Sequence, residues 1–344
     1  MTSGDNPCWR DAEPEQFAAA ILSTAEGLGV LPLAIEKDYW VCAALRAISS
    51  AHPGEVVFKG GTSLEKLRII KRFSEDLDLL VTGDYTSNRA AERALKSMID
   101  VAATSSGVTV SPLRSGGNPG SYHRSAYLEQ PMTHSGRPGA VADASRILLE
   151  LGQSGGPNPN MIRPITSMLS RQLTAVGFNI AAWHDLAIFE VPVLHPGRTL
   201  IEKLLRVNNF SSKPETDRAD NVHGWSRIGR QFYDIWALLD TDEVIEFLAD
   251  KPLVAQVLAS CFEVSEAFER DRPVPRGGFA ASIAFEPNGP LSTRLRREHE
   301  IAMRDLYYGT DAPPTFDEVL HRIGANRRSL DVGETEPSQA GLDA

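Results

Sequence analysis

The sequence predicts an α+β protein in which a mixed α/β half, up to about residue 195, is followed by a mainly helical half. In the first half, short apolar runs bounded by glycine or proline alternate with longer segments of helical periodicity. Beyond it, apolar residues recur at helical spacing in one segment after another. The length of 344 residues is enough for two domains and a sizeable core.

Helices are predicted in the first half where apolar residues recur at helical spacing, over residues 14–29, 34–48, 64–70, 87–104 and 168–175. We expect Thr62 or Ser63 to cap the helix over 64–70. Strands are predicted over short apolar runs, at residues 56–58, 75–81, 146–151 and 186–194. Residues 111–139 are rich in Gly, Ser and Pro, which predicts a loop or an irregular hairpin.

The second half is predicted to be helical over residues 199–207, 228–239, 244–248, 253–268, 291–307 and 316–323. Thr199 is the expected N-cap of the first of these helices. The residues after about 325 are polar and lie at the chain end, which predicts disorder. These patterns divide the chain into predicted regions at residues 1–195, 196–325 and 326–344.

The composition is that of an ordinary globular protein and argues against several other classes. A net charge of −10 argues against a protein that coats nucleic acid nonspecifically, although it leaves room for a local basic groove. No apolar run approaches the roughly 18 residues needed to span a bilayer, and the first residues lack the pattern of a secretory signal. Three scattered cysteines predict a reducing, cytoplasmic environment. Histidines and cysteines show no zinc-binding spacing, so any metal is expected to have oxygen ligands.

The most informative motif joins a glycine turn to two acidic residues spaced two apart. Asp76 and Asp78 fall in a predicted strand, where side chains at i and i+2 point to the same face. Adjacent carboxylates repel each other unless a cation or a proton lies between them, and Mg²⁺ prefers carboxylates together with phosphate oxygens. Upstream, the turn Gly60–Ser63 can present backbone N–H groups to a phosphate. Together these parts predict metal-assisted nucleotidyl or phosphoryl transfer.

Other polar residues qualify as further members of this site. Ser74 shares the face of Asp76 and can bind a phosphate, and Glu150 on another predicted strand can supply a third carboxylate to the metal. Lys203 can neutralise a triphosphate, and Asp234 can orient that lysine or take a proton from an attacking hydroxyl. Each residue also has a plain structural interpretation, such as a strand-edge serine, a half-exposed glutamate, a surface lysine paired with an acid, or a helix-surface Asp–Arg pair. The nucleotide-binding candidates are Lys59, Gly60, Gly61, Thr62, Ser63 and Lys66.

Several segments, in this order along the chain, resemble the AbiEii/AbiGii toxin nucleotidyltransferases. They are Ile35–Trp40, Phe58–Lys66, Arg72–Asp78, Arg198–Leu204 and Arg230–Ile235. Later segments also resemble the family's C-terminal part, namely Met303–Gly309 and Phe316–Leu320. The resemblance implies a polymerase-β-like nucleotidyltransferase core with a mixed sheet, followed by a helical domain that completes the active-site cleft.

The resemblance also implies which residues act. The family's functional positions fall on Ser74, Asp76, Lys203 and Asp234. Asp78 completes the acidic pair, whereas the metal-ligand role of Glu150 is our own prediction and not part of the family pattern. The long segment between Lys203 and Asp234 and the region 105–140 depart from that pattern, and both can alter the choice of RNA.

The resemblance implies a toxin of a toxin–antitoxin or phage-defence system. Such an enzyme uses Mg²⁺ to transfer NMP from an NTP to the 3′ acceptor end of tRNA and so blocks translation. A cognate antitoxin is the expected protein partner, and no membrane is expected to take part. Two alternatives stay open, a nucleotidyltransferase that modifies a small hydroxyl compound and a noncatalytic nucleotide or RNA sensor. The intact Asp76 and Asp78 pair argues against the sensor, because a pure binder need not keep two metal carboxylates.

Overall fold

The computed structural model describes residues 6–74, 76–106, 109–112, 123–134, 146–152, 156, 158–214, 222–266 and 272–332. The chain forms two compact units. The first unit runs up to Leu194 and also contains Tyr308–Thr310. The second unit comprises His195–Tyr307 and the residues from Asp311 onward.

The first unit contains helices and one mixed sheet. Its helices are α1 (Trp9–Ala12), α2 (Pro14–Leu28), α3 (Pro32–Ala51), α4 (Gly60–Lys66), α5 (Asn88–Ser106) and α6 (Met168–Ala175). Its strands are β1 (Val56–Lys59), β2 (Leu77–Val81), β3 (Thr109–Pro112), β4 (His123–Glu129), β5 (Arg146–Gly152), β6 (Asn160–Ile165) and β7 (Phe189–Leu194). The described strands form a seven-stranded sheet in the order β3-β4-β5-β2-β1-β7-β6. The pairs β2–β5 and β1–β7 are parallel, and the other neighbours are antiparallel.

The two faces of the central strands differ in polarity, which determines where a site can form. Leu77 and Leu79 of β2 point to one face and are buried in the main hydrophobic core, together with Leu149 and Leu151 of β5. Because side chains alternate along a strand, Asp78 of β2 points to the opposite face. The sheet therefore carries acidic side chains on the face away from its main core.

In the described residues, the second unit is helical. Its α-helices are α7 (Pro196–Ser212), α8 (Val222–Leu238), α9 (Asp242–Ala249), α10 (Lys251–Glu266), α11 (Ser292–Leu306) and α12 (Phe316–Ala325). α8 is the central helix of this unit, since α7, α11 and α12 all pack against it. Its Phe232 and Ile235 are fully buried and form part of the unit's core.

The structure confirms the predicted α+β class, in which a mixed sheet with helices is followed by a mainly helical part. β6 is absent from the prediction. The segment predicted as a loop or hairpin contains part of β3 and all of β4, which pair in an antiparallel fashion. Residues 113–122 and 135–139 of that segment lie outside the described residues.

α7 begins earlier than predicted, and a different residue caps it. The helix starts at Pro196, and Nδ1 of His195 accepts a hydrogen bond from the N–H of Gly197 at 3.0 Å. Thr199 is therefore a helical residue and not the N-cap. Proline suits the first position of a helix because it has no N–H to leave unpaired.

The chain stays ordered beyond the predicted start of the disordered tail at residue 326. Leu330 is fully buried, and its carbonyl accepts a hydrogen bond from the N–H of Phe279 at 3.0 Å. The Lys251 ammonium donates to the carbonyl of Ser329 at 2.9 Å. The predicted boundary is therefore too early, and residues 333–344 lie outside the described part of the chain.

No single helix in the described ranges is both long enough and apolar enough to cross a bilayer. α2 and α3 meet those criteria only when taken together, as a pair bent by 114°.

Candidate active site

The glycine turn lies directly against the acidic strand. α4 begins at Gly60, with Lys59 rather than the predicted Thr62 or Ser63 at its N-cap. Gly60 has a φ of +80°, a backbone conformation that residues with a side chain rarely adopt. A Cβ at this position would lie 2.1 Å from Oδ2 of Asp78. Only glycine therefore lets the turn approach the carboxylate this closely.

The second glycine brings Ser74 beside the turn. A Cβ on Gly61 would lie 2.9 Å from Oγ of Ser74 and 2.8 Å from Nη2 of Arg72. The Thr62 hydroxyl donates to the carbonyl of Asp76 and lies 3.0 Å from the Ser74 hydroxyl. The turn and the segment that leads into β2 therefore form one local structure.

The side chains of Thr62 and Ser63 serve the turn itself. Both residues are buried. The Ser63 hydroxyl donates to the carbonyl of Gly60 at 2.9 Å, and the Thr62 hydroxyl is bound as described above. Of the predicted nucleotide-binding groups in this segment, the backbone N–H groups at the start of α4 are thus better candidates than the two hydroxyls.

Acidic and basic side chains share the face of the sheet that points away from the main core. Asp78 pairs with Lys59 of β1 on one side and with Glu150 of β5 on the other. Paired residues of neighbouring strands point to the same face of the sheet. His123, at the start of β4, has its Nε2 4.0 Å from Oε1 of Glu150. Burial lowers the pKa of His123 and the charge of Lys59 lowers it further, against the opposing effect of Asp78. These side chains therefore influence one another electrostatically.

The donors on this face suit a hard divalent cation. Asp78 in β2 offers carboxylate oxygens, and Asp76 and Ser74 in the segment just before β2 offer further oxygen atoms, which Mg²⁺ prefers as ligands. Gly60 adds to the fit, because it leaves beside Oδ2 of Asp78 the space that a Cβ would fill. Within the described residues, however, no three His, Cys, Asp or Glu side chains converge closely enough to hold a metal ion by themselves. Glu150 therefore completes no preformed site with the aspartates, and its role as a metal ligand stays a prediction.

Lys66 is buried in an ion pair, contrary to the prediction that it binds nucleotide phosphates. Its side chain is fully buried, its Nζ bonds to Asp38 of α3, and the same Nζ lies 2.9 Å from Oε2 of Glu65. Burial alone would lower the pKa of Lys66, but the nearby carboxylates outweigh this effect and raise it. The lysine ends α4, so its side chain is held among helices at the end of α4 opposite the turn.

Lys66 belongs to a buried charge cluster, which we define as Asp38, Glu65, Lys66, Arg171 and Tyr308. Asp38 also accepts a hydrogen bond from the N–H of Met168, the first residue of α6, at 2.6 Å. Glu65 accepts from the Arg171 guanidinium and, at 2.7 Å, from the Tyr308 hydroxyl. Burial alone would raise the pKa of Glu65, but the charges of Lys66 and Arg171 hold it at about 2. The cluster fastens α4, and with it the glycine turn, to α3 and α6.

In the second unit, Lys203 and Asp234 form a buried ion pair. Nζ of Lys203 on α7 lies 2.7 Å from Oδ2 of Asp234 and 2.9 Å from Oε1 of Gln231, both on α8. Asp234 is 0% exposed, so the interpretation as a helix-surface acid is wrong. It faces inward because α7 and α8 pack against each other. A carboxylate already paired with a lysine is suited to orient that lysine rather than to take a proton from a hydroxyl.

These features can be compared with known families. The family model described as Nucleotidyl transferase AbiEii toxin, Type IV TA system, matches residues 43–322, which is most of the chain. The chain belongs to the AbiEii family. A search of curated proteins finds no match. As an AbiEii protein it is a nucleotidyltransferase toxin of a type IV toxin–antitoxin system, and the family predicted from the sequence is confirmed.

Some partners in this AbiEii protein have only weak signals in the sequence. Gln231 precedes Asp234 by one helical turn and lies in a segment that resembles the family, yet glutamine alone indicates no role. Asp38 also lies in such a segment. Arg171 and Tyr308 come from distant parts of the chain, and no local pattern connects them to Asp38. Only the fold therefore reveals the buried charge cluster.

Proposed function

We propose that this AbiEii protein transfers a nucleoside monophosphate from an NTP to a hydroxyl group of an acceptor RNA. The observation that carries the proposal is the close approach of the Gly60–Gly61 turn to the side chains of Asp78 and Ser74. It puts backbone donors for phosphates beside carboxylates that suit a divalent ion. Carboxylates that repel each other near a phosphate seat favour catalysis over simple binding, because a binder gains nothing from the repulsion.

The residues of the first unit bind and orient the nucleotide. Backbone N–H groups at the start of α4 donate to the triphosphate, and Lys59 adds positive charge on the same face. Asp76 and Asp78 would hold Mg²⁺, and the Ser74 hydroxyl donates to a phosphate oxygen or to a bound water. When bound, the ion supplies charge stabilisation to the phosphate oxygens during in-line displacement.

Lys203 is assigned to the triphosphate and the departing pyrophosphate. Asp234 and Gln231 hold its ammonium group, so little reorganisation is needed when negative charge develops on the leaving group. In this proposal Asp234 is a positioning residue that acts through Lys203.

We propose the 3′ acceptor end of tRNA as the RNA substrate. The support comes from the AbiEii resemblance and from the toxin description of the family. A net charge of −10 is also more compatible with an enzyme that binds the end of an RNA chain than with one that binds along a long duplex. Cytoplasmic location, a cognate antitoxin and a role in phage defence belong to the same proposal.

Incubation of the purified protein with labelled NTPs, Mg²⁺ and total tRNA tests the proposal. Label on tRNA 3′ ends is expected, and chelation of Mg²⁺ is expected to prevent it. Label only on a small molecule would replace the RNA by a small hydroxyl compound, and NTP binding without transfer would indicate a sensor. Sequencing of RNA 3′ ends after induced expression identifies the tRNA and the added nucleotides.

Asp76→Ala is expected to reduce transfer at least about a hundredfold, because several kcal/mol of charge stabilisation depend on the metal. It is expected to leave the fold intact, since removing one of two like charges relieves repulsion. The label-transfer rate, growth arrest and urea unfolding measure these effects. The control is Asp84→Ala, which removes an exposed carboxylate beyond the end of β2 and should change none of them. Full toxicity of the Asp76 variant would show that the metal assignment is wrong.

A further inference from the structure

The face of the sheet that carries Asp78 extends onto β5 and β4, where its side chains are exposed or half-exposed. On β4, His123, Ser125 and Tyr127 are exposed or half-exposed, whereas Ala126 and Leu128 between them are buried. β5 alternates in the same way, with half-exposed residues on the face of Glu150 and buried residues on the core face. These two strands therefore continue the face that carries the proposed metal ligands.

Tyr127 and Arg146 form a cation–π pair on this face, which we call the stacking pair. The guanidinium carbon of Arg146 lies 4.0 Å from the centroid of the Tyr127 ring. Tyr127 is level with Leu148 of β5, which is itself half-exposed. Asp76 directly precedes β2, and extending the β2–β5 register by one residue places its backbone opposite Leu148 as well. Two strand spacings, about 10 Å, thus separate the backbones of Tyr127 and Asp76.

The direction of the reaction decides which substrate reaches the stacking pair. In an in-line displacement, the attacking oxygen and the leaving group lie on opposite sides of the phosphorus. The proposed phosphate-binding site is the glycine turn that follows β1, and β1 lies on one side of β2. On the other side of β2 lie β5 and then β4. The acceptor is therefore expected over β5 and β4.

We propose that Tyr127 and Arg146 stack the terminal nucleobase of the acceptor RNA; this inference rests on the proposed function. Nucleobases stack on aromatic rings and on guanidinium planes with little dependence on sequence. The separation from Asp76 is comparable with the span of one nucleotide. A base held by the stacking pair therefore leaves its ribose hydroxyl free to reach the phosphorus beside the carboxylates. Arg146 also adds positive charge near the RNA backbone.

A binding measurement tests the stacking without requiring transfer. Two 5′-labelled RNA oligonucleotides are compared by fluorescence anisotropy, one ending in adenosine and the other in an abasic ribose. The wild type is expected to bind the complete end roughly fivefold to a hundredfold more tightly, the range found for single base–aromatic stacks. Tyr127→Ala is expected to bind both ends equally, and Tyr127→Phe is expected to keep the preference because it keeps the ring.

The matched control is Phe189→Ala. Phe189 of β7 also packs against an arginine, with the guanidinium carbon of Arg46 4.4 Å from its ring centroid. It lies on the opposite, core-facing side of the sheet, because it alternates in step with the buried Val191 and Val193. This variant is expected to retain the preference for the complete end, so any general effect of losing an Arg–aromatic pair is accounted for.

Transfer kinetics identify which nucleobase is stacked. Tyr127→Ala is expected to raise the KM for the acceptor RNA and to leave the KM for the NTP unchanged. A rise in the NTP KM alone would show that the pair holds the base of the NTP, and a retained preference of Tyr127→Ala for the complete end would show that no stacking occurs. Either result overturns the inference. If the wild type prefers the complete end but transfers nothing to RNA, the stacking is supported and the proposed function is wrong.

Discussion

At the scale of single residues, two glycines determine the geometry of the proposed site. Gly60 and Gly61 stand where a Cβ would overlap Asp78 and Ser74, respectively. At Gly60 the positive φ adds a conformational requirement to this steric one. The two requirements can be separated experimentally, because other glycines of the chain share the conformation without the close contact.

Gly60→Ala is expected to lower the free energy of unfolding by about 1–2 kcal/mol, the cost of a left-handed residue with a side chain. It should also reduce transfer roughly a hundredfold, because the methyl group displaces Asp78 and misplaced catalytic groups lose about that much. The matched control is Gly29→Ala, at φ +65° with nothing within 4 Å. It should lose similar stability and keep full activity in the transfer assay. An equal loss of activity in both variants would attribute the effect to backbone strain alone.

At the scale of elements, α4 has a proposed substrate-binding end and an anchored end. Its first residues make the glycine turn, and its last residues, Glu65 and Lys66, belong to the buried charge cluster. A helix of seven residues has little stability by itself. The position of the turn therefore depends on the anchor, although none of the cluster's side chains is proposed to touch the substrate.

Lys66→Met is expected to lower the free energy of unfolding by about 3–5 kcal/mol, because it leaves Asp38 buried without the lysine it binds and removes one of the two cations beside Glu65. Lys96→Met is the control; it removes an exposed lysine of α5 and should change stability by less than about 0.5 kcal/mol. Urea denaturation of both variants measures the difference. Similar midpoints and slopes for the two variants would contradict a structural role of the cluster.

Local patterns predicted most helices and strands but not every boundary. The prediction omits β6 because it is an edge strand with Pro164 in its sequence and few buried side chains. The predicted start of α4 is too late, because the N-cap rule uses only local sequence. The contact of Gly60 with Asp78 is tertiary, so the local sequence does not encode it. Arg68, with a φ of +61°, lies in a left-handed conformation just after α4, which the prediction carried on to residue 70.

The candidate site was predictable only where its residues are close in sequence. The spacing of the glycine turn and the acidic pair predicted that they belong together, and the turn does lie against Asp78. The partner of Lys66 is Asp38, which lies 28 residues away on another helix. A lysine near a phosphate-binding turn is an obvious phosphate ligand in sequence. Its burial depends on the packing of α3, α4 and α6, which no short motif encodes.

At the scale of the whole molecule, the ionisation of buried groups makes stability depend on pH. Glu65 is deprotonated inside the first unit, with a pKa of about 2 against an ordinary value of 4.5. The unfolded chain therefore binds this proton more readily than the folded one. The contribution of Glu65 to stability is complete above pH 4.5 and is lost as the pH falls from 4.5 towards 2.

Glu65→Gln is expected to be less stable than the wild type at pH 6, because Arg171 loses its carboxylate partner and Lys66 loses one of its two. Between pH 6 and pH 4 the wild type should lose about 1 kcal/mol more stability than the variant, which has no proton to take up. Urea denaturation at the two pH values measures both quantities. If the difference between the two proteins stays constant, the low pKa of Glu65 in the folded state is wrong.

Tyr308–Thr310 belong to the first unit although they follow most of the second unit in sequence. This determines when the first unit can be completed during synthesis. Tyr308 lies far along the sequence, yet its N–H donates to the carbonyl of Lys71 at 2.9 Å and its hydroxyl reaches Glu65. During translation, the nucleotidyltransferase core leaves the ribosome long before this tyrosine is synthesised. No nascent chain that stops before Tyr308 contains the whole anchor of α4. An AbiEii protein built in this way acquires the full anchor of α4 only after Tyr308 has been synthesised.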